Sequence, residues 1–172
     1  MRRLAAELEI PERTLRRAAS EGLLHGERTS PRSFALTLRE ENYLRGHWPL
    51  LRTLRAALRT EPNVRLAVLF GSAATGRARE RSDVDLLVAL EDAHLGRLAE
   101  LSGRVSDHVG RDVQLVRLSD AEGAPALMLD VINDGRVLID RDRQWPQIRS
   151  SLPRWRQRAR RLETHKSEPL DG

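Results

Sequence analysis

Val64-Arg65-Leu66-Ala67-Val68-Leu69-Phe70-Gly71-Ser72, followed after ten residues by Asp83-Val84-Asp85-Leu86-Leu87-Val88-Ala89-Leu90, is the stretch on which the reading of this chain turns. The first run is apolar except for Arg65 and reads as a buried strand; the second reads as another. Side chains alternate along a strand, so Asp83 and Asp85 share a face. Two carboxylates roughly 7 Å apart on an otherwise apolar strand repel each other and are costly to bury unpaired. A divalent cation resolves that conflict: Mg²⁺ accepts one or two carboxylates and takes its other oxygens from phosphates and water. The loop between the strands suits the same chemistry. Gly71 has no Cβ, so a phosphate can approach its backbone. Ser72 adds a hydroxyl and an N–H, and Gly76 allows a tight bend. Arg77, Arg79 and Arg81 stand in the same loop, placed to meet phosphate charge. A Gly-Ser turn alone is ordinary punctuation, and Asp-x-Asp alone is usually a solvated strand edge. The specific signal is the two together, at this spacing, on two buried strands.

Working outward, residues 93–109 form an amphipathic helix through Leu95, Leu98, Leu101, Val105 and Val109. Residues 112–116 are a third strand. Ser119 or Asp120 caps a helix that ends near Gly135, and residues 136–139 are a fourth strand. From Pro146 the chain is helical, with Trp155, Ala159 and Leu162 on one face; residues 167–172 read as disordered. On the other side, Thr37 and Glu40 make a capping box for a helix reaching Arg59. Its stripe is Leu44, Trp48, Leu51, Leu54 and Leu58, and Pro49 should kink or divide it. Phe34-Ala35-Leu36 reads as a short strand or wing. Two short helices over 2–9 and 11–24 come first, with Leu4, Ala5 and Leu8 on one and Leu15, Ala18 and Ala19 on the other. Pro11 suits a first helical position. There is no internal repeat.

The chain has 172 residues, no cysteine and five histidines without metal-ligand spacing. The missing cysteine excludes a thiolate metal site, an iron–sulfur cluster, a cysteine nucleophile and a disulfide framework. No apolar run approaches the ~20 residues of a membrane helix, and the first residues lack the apolar stretch of a signal peptide, so a cytoplasmic protein is expected. No Ser-His-Asp signature, Gly-x-Gly-x-x-Gly or Walker lysine loop is found. The net charge of +5 is uneven: residues 1–60 carry +5, residues 61–140 carry −5 and residues 141–172 carry +5. An acidic centre between basic ends suggests modules with different partners. Of the 30 basic residues 29 are Arg, a skew that makes solvated surface arginines expected. The C-terminal run Arg154, Arg156, Arg158, Arg160 and Arg161 reads as such a face.

Phe70-Gly71-Ser72-Ala73-Ala74-Thr75-Gly76, with Ser82-Asp83-Val84-Asp85-Leu86-Leu87-Val88, resembles the minimal nucleotidyltransferases of the DNA polymerase beta superfamily. The likeness covers roughly residues 62–142 and extends to Val131-Ile132-Asn133-Asp134-Gly135-Arg136-Val137-Leu138. It implies an α+β fold, a nucleotidyltransferase-type mixed sheet flanked by helices and preceded by a small helical module. The expected division is a helical module at 1–60, a nucleotidyltransferase domain at 61–142 and a basic helical tail at 143–172. The resemblance further implies that Asp83 and Asp85 hold Mg²⁺ and are catalytic, that Gly71, Ser72 and Ser82 bind the nucleotide, ATP, and that an acceptor hydroxyl attacks the α-phosphorus. One position departs. Members usually carry a third acid in a Val-Asp-Leu-Val-like run, and here the run is Val113-Gln114-Leu115-Val116. Asp112, two residues earlier on the same face, stands as the alternative third catalytic acid, although ~6.7 Å along a strand separates the two positions.

Leu4 to Arg17 resembles a helix-turn-helix, with Glu9 where a turn glycine is usual. Arg13, Thr14, Arg16 and Arg17 would then contact DNA, as residues opening a recognition helix do. An Arg-coated packing module is the plain alternative. Small proteins of this kind resemble the antitoxin half of a two-gene pair whose partner is a HEPN-type toxin, to which AMP is transferred; operator DNA would be a second partner. Two other readings stay open: a small-molecule, antibiotic-modifying nucleotidyltransferase, and a DNA-binding regulator whose nucleotidyltransferase domain only senses nucleotide. A homo-oligomer is also left open.

Overall fold

A computed structural model describes residues 1–30, 33–79 and 82–166, without the side chains of 164–166. Arg81 and the tail 167–172, for which phosphate contact and disorder were expected, and the side chain of His165, lie outside the described residues.

The chain opens with α1 (Arg2–Glu7) and α2 (Glu12–Ser20), both shorter than expected. Pro11 is not the first helical residue but the N-cap, with ψ at 138°: the ring fixes φ at −63°, which serves either position, and the chain uses it to enter the helix from an extended residue. Between the helices Glu9 takes the left-handed φ of 54°, the conformation for which a glycine is usual there. A non-glycine residue pays about 1 kcal/mol or more for it. The anticipated wing is a hairpin, β1 (Glu27–Ser30) against β2 (Ser33–Ala35).

α3 (Leu38–Arg59) is continuous through Pro49, neither ended nor divided by it. Half of the capping box forms: the Thr37 hydroxyl accepts from Glu40 N at 3.2 Å, while the Glu40 carboxylate turns inward instead of back. The strands follow their apolar runs closely: β3 (Val64–Phe70), β4 (Val84–Leu90), β5 (Val113–Arg117) and β6 (Arg136–Asp140). α4 (Gly71–Thr75) follows β3, and α5 (Leu95–Val109) joins β4 to β5. The single helix expected before Gly135 is two, α6 (Leu118–Ala121) and α7 (Pro125–Asp134). Pro125 disfavours helical backbone at the residue before it, and Ala124 is non-helical at φ −121°, ψ 83°. α8 (Trp145–Ser150) and α9 (Leu152–Lys166) close the chain.

The four long strands form one mixed sheet in the order β5-β4-β3-β6; β3 runs antiparallel to β4 and β6, and β4 parallel to β5. Among the described residues the core falls into two clusters. One holds Leu4, Leu15 and the α3 stripe together with Ala67, Leu69, Leu86, Leu101 and Val105, so α1, α2, α3 and α5 cover one face. The other holds Leu66, Val68, Phe70 and Leu87 beneath Met128, Val131, Trp145 and Trp155 of α7, α8 and α9. Two apolar expectations fail. Leu95 and Leu162 are exposed; on α5 packing starts a turn later, at half-buried Leu98 and buried Leu101. No helix among the described residues is long and apolar enough to cross a membrane.

Candidate active site

β3 and β4 pair so that Phe70 lies opposite Asp85. The next residue, Gly71, has φ +70°, and a Cβ built on it would lie 2.6 Å from Asp85 Oδ2. The turn therefore favours glycine, and any Cβ there would push the Asp85 carboxylate aside. Gly71→Ala should lower the melting temperature, by strain at positive φ of about 1 kcal/mol or more. It should also weaken nucleotide binding by displacing the Asp85 carboxylate. Thermal melts and calorimetry on the same variant check the two effects together, and wild-type affinity would remove Gly71 from the site.

Asp83 and Asp85 point to the same face, half-buried. They are held differently. Asp83 Oδ2 accepts from Gln114 Nε2 at 2.7 Å. Asp85 accepts from no donor among the described residues, and its carboxyl is pushed up from the ordinary range, first by burial and then by the charge of Asp83. Such an uncompensated pair is the arrangement a divalent cation relieves, and the hard oxygen donors fit Mg²⁺.

Gln114 lies in register with Asp85 across the parallel β4–β5 ladder. Asp112 comes just before β5 with its side chain exposed, and its carbonyl accepts from Val84 N at 2.8 Å. Among the described residues no three carboxylates or histidines gather where one metal could be held, so the exposed Asp112 side chain does not complete a three-ligand metal group with the pair. The Ser72 carbonyl ties down the loop by accepting from Arg77 N at 2.9 Å and Ala78 N at 3.1 Å. Its half-buried hydroxyl bonds to none of the described residues. The Ser82 hydroxyl is engaged in its own turn, accepting from Arg79 N at 2.9 Å, and Arg111 donates to the Ser82 carbonyl. Arg77 and Arg79 are exposed.

Sequence reasoning missed what holds the Gly-Ser helix from behind. Tyr43 of α3 donates its hydroxyl to Ala73 O at 3.0 Å, and Arg136 Nε donates to Ala74 O at 2.8 Å. The Arg136 guanidinium lies 3.5 Å from the Tyr43 ring centroid and pairs bidentately with Glu40, at 2.6 and 2.9 Å. Arg136 and Glu40 are both buried. Glu40 also accepts from His25 N at 3.0 Å, and the His25 ring meets Gly135 O. Burial pushes the Tyr43 hydroxyl up to about 12, while burial and then the Arg136 charge hold His25 below its ordinary value. A carboxylate at Glu40, one helical turn before Leu44 of the buried stripe, was the available signal.

At the N-terminus, Arg13, Arg16 and Arg17 are exposed on α2 and Thr14 is half-buried. Arg16 pairs with Glu12 and Arg17 with Glu21 along the helix.

A mixed sheet that sets paired carboxylates against a glycine at a strand-to-helix turn defines a nucleotidyltransferase-type fold. The family model described as Polymerase beta, Nucleotidyltransferase matches residues 52–144, and the chain belongs to that family. Among solved structures, a chain of a toxin–antitoxin crystallised with AMP-PNP matches with a TM-score of 0.56 and 23% identity, over 67% of this chain and 93% of that one. A chain from a complex of tri-AMPylated Shewanella oneidensis HEPN toxin with MNT antitoxin matches with a TM-score of 0.53 and 21% identity, over 69% and 93%. At these identities the likeness is one of fold. No curated protein matches the chain.

Proposed function

We propose that this protein transfers a nucleoside monophosphate, AMP from ATP with pyrophosphate leaving, to a hydroxyl of a HEPN-type toxin with which it forms a toxin–antitoxin pair. The observation that carries the transferase reading is the pair Asp83 and Asp85 against the bare Cα of Gly71, with Asp85 accepting from no donor among the described residues. The partner is supported by the complexes in which chains of this fold are found, one of them with an AMPylated HEPN toxin. Asp83 and Asp85 would hold Mg²⁺, which when bound neutralises triphosphate charge and polarises the attacking hydroxyl. Ser72 would present its hydroxyl and N–H to the phosphates from a loop fixed by its own carbonyl. Gln114 orients Asp83 but, as a neutral amide, takes no proton, so the acceptor hydroxyl must lose its proton to a group that this strand does not supply.

Label transfer from α-labelled ATP, with the candidate toxin present, tests the reading. Wild type should label the toxin. Asp112→Asn should label it equally, because the exposed Asp112 side chain forms no three-ligand metal group with the pair among the described residues. Gln114→Asp should gain tenfold or more, within the ~10²–10⁴ that a positioned base contributes. No transfer by any variant, alongside tight ATP binding, would favour a second reading: a DNA-binding regulator that senses nucleotide. Gln114 at the site of the expected acid supports that alternative. A DNA-contacting role for Arg13, Thr14, Arg16 and Arg17 is supported by the left-handed turn at Glu9 and by the hairpin that follows α2.

A further inference from the structure

The two basic ends of the sequence meet in space. A groove of about 970 Å³ runs between α2, the hairpin, the end of α3, the edge strand β6 and α8. Arg17, Arg55 and Arg59 reach it from the first basic segment, and Arg141, Arg143 and Arg149 from the last. Two carboxylates line it. Glu21 is bound by Arg17 and Arg55. Asp140 is used locally, accepting from Gln144 N at 2.8 Å and Trp145 N at 3.1 Å. Arg141 is held by neutral carbonyls, including Val64 O at 2.8 Å. Arg59, Arg143 and Arg149 are exposed and have no carboxylate partner among the described residues. The Nε of Arg55 is buried without an acceptor among the described residues. Arg143 sits at φ 55°, a left-handed conformation that costs a non-glycine residue energy.

Like charges gathered this closely repel, and the fold keeps them in a concave surface where an anion gains most. A single phosphate would leave most of the groove empty and most of the guanidiniums unmatched. A chain of phosphates would match both, and guanidinium forks pair with phosphate oxygens bidentately. We propose that this groove seats the sugar–phosphate backbone of a nucleic acid. It lies along the outer edge of β6, whereas Asp83 and Asp85 are at the start of β4, and it does not use Arg13 or Arg16. The site is composite: neither basic segment forms it alone.

Fluorescence anisotropy with short duplex DNA, single-stranded RNA and inorganic polyphosphate, each measured across a salt series, tests this. Wild type should bind at least one of the two nucleic acids with a steep salt dependence. Arg59→Ala with Arg143→Ala and Arg149→Ala should weaken that binding about tenfold or more and flatten the log–log salt slope by roughly 2–3, near 0.9 per lost phosphate contact. A melt confirms that the triple variant is folded; if it is not, Arg59→Ala alone should flatten the slope by about 1. Arg13→Ala with Arg16→Ala separates the groove from the α2 face. Loss in the groove variant, with or without loss in the α2 variant, supports the proposal. Loss in the α2 variant alone overturns it, as does binding of polyphosphate without either nucleic acid, or no binding by wild type.

Discussion

Asp83→Asn combined with Asp85→Asn should abolish metal-dependent ATP binding and leave the melting temperature unchanged or raised. The two effects have one cause. Folding holds the two charges together on a half-buried segment, where Asp85 has no donor among the described residues and its carboxyl is pushed up by burial and by Asp83. Asparagine keeps the shape, removes the repulsion and lets position 83 still accept from Gln114. Binding then loses both anionic oxygen donors. Interactions of charged groups are worth about 1.5–3 kcal/mol each, so the pair should cost at least ~100-fold in affinity by calorimetry. Binding within a few-fold of wild type would place the nucleotide elsewhere, whatever the fold.

The second large effect is on stability. Glu40→Ala should destabilise by about 3–5 kcal/mol, because it strands the buried guanidinium of Arg136. At 2–4 °C per kcal/mol for a chain of this size, the melting temperature should fall by roughly 10 °C. Tyr43→Phe, which keeps the ring under Arg136 and removes only the hydroxyl bond to Ala73 O, should cost about 1 kcal/mol. Glu40→Ala with Arg136→Met should recover part of the loss. Recovery is incomplete because Ala74 O and Leu23 O would lose their Arg136 donors. Chemical denaturation of the three variants gives the comparison; a Glu40→Ala loss no larger than that of Tyr43→Phe would mean that the pair is solvated.

The features legible in the sequence were those set by neighbours along the chain. Apolar runs at Val64–Phe70 and Val84–Leu90 marked strands because their residues are buried on both faces, and the helical stripe of Leu44, Trp48, Leu51, Leu54 and Leu58 survived Pro49. The break before Pro125 was local too, and the steric rule for the residue preceding proline would have found it. What could not be read was set by partners far apart in sequence. Glu40 fits a capping box until Arg136, ninety-six residues on, claims its carboxylate. Asp83 and Asp85 were legible as a pair, but the bond from Gln114 depended on the β4–β5 register. Charge arithmetic showed two basic ends and an acidic centre, yet not that β6 and α8 bring those ends to one groove.

The contact between Gly71 and Asp85 also constrains how this site can change by descent. The two residues occupy each other's space, since a Cβ at position 71 would meet the carboxylate at 2.6 Å. A side chain at 71 must therefore push the Asp85 carboxylate aside or face a smaller residue at 85, and only residues at ease with positive φ would suit the turn. Decorating the turn costs the acid its present position, so a descendant still holding Gly71 has kept the room in which an acid at 85 takes this geometry.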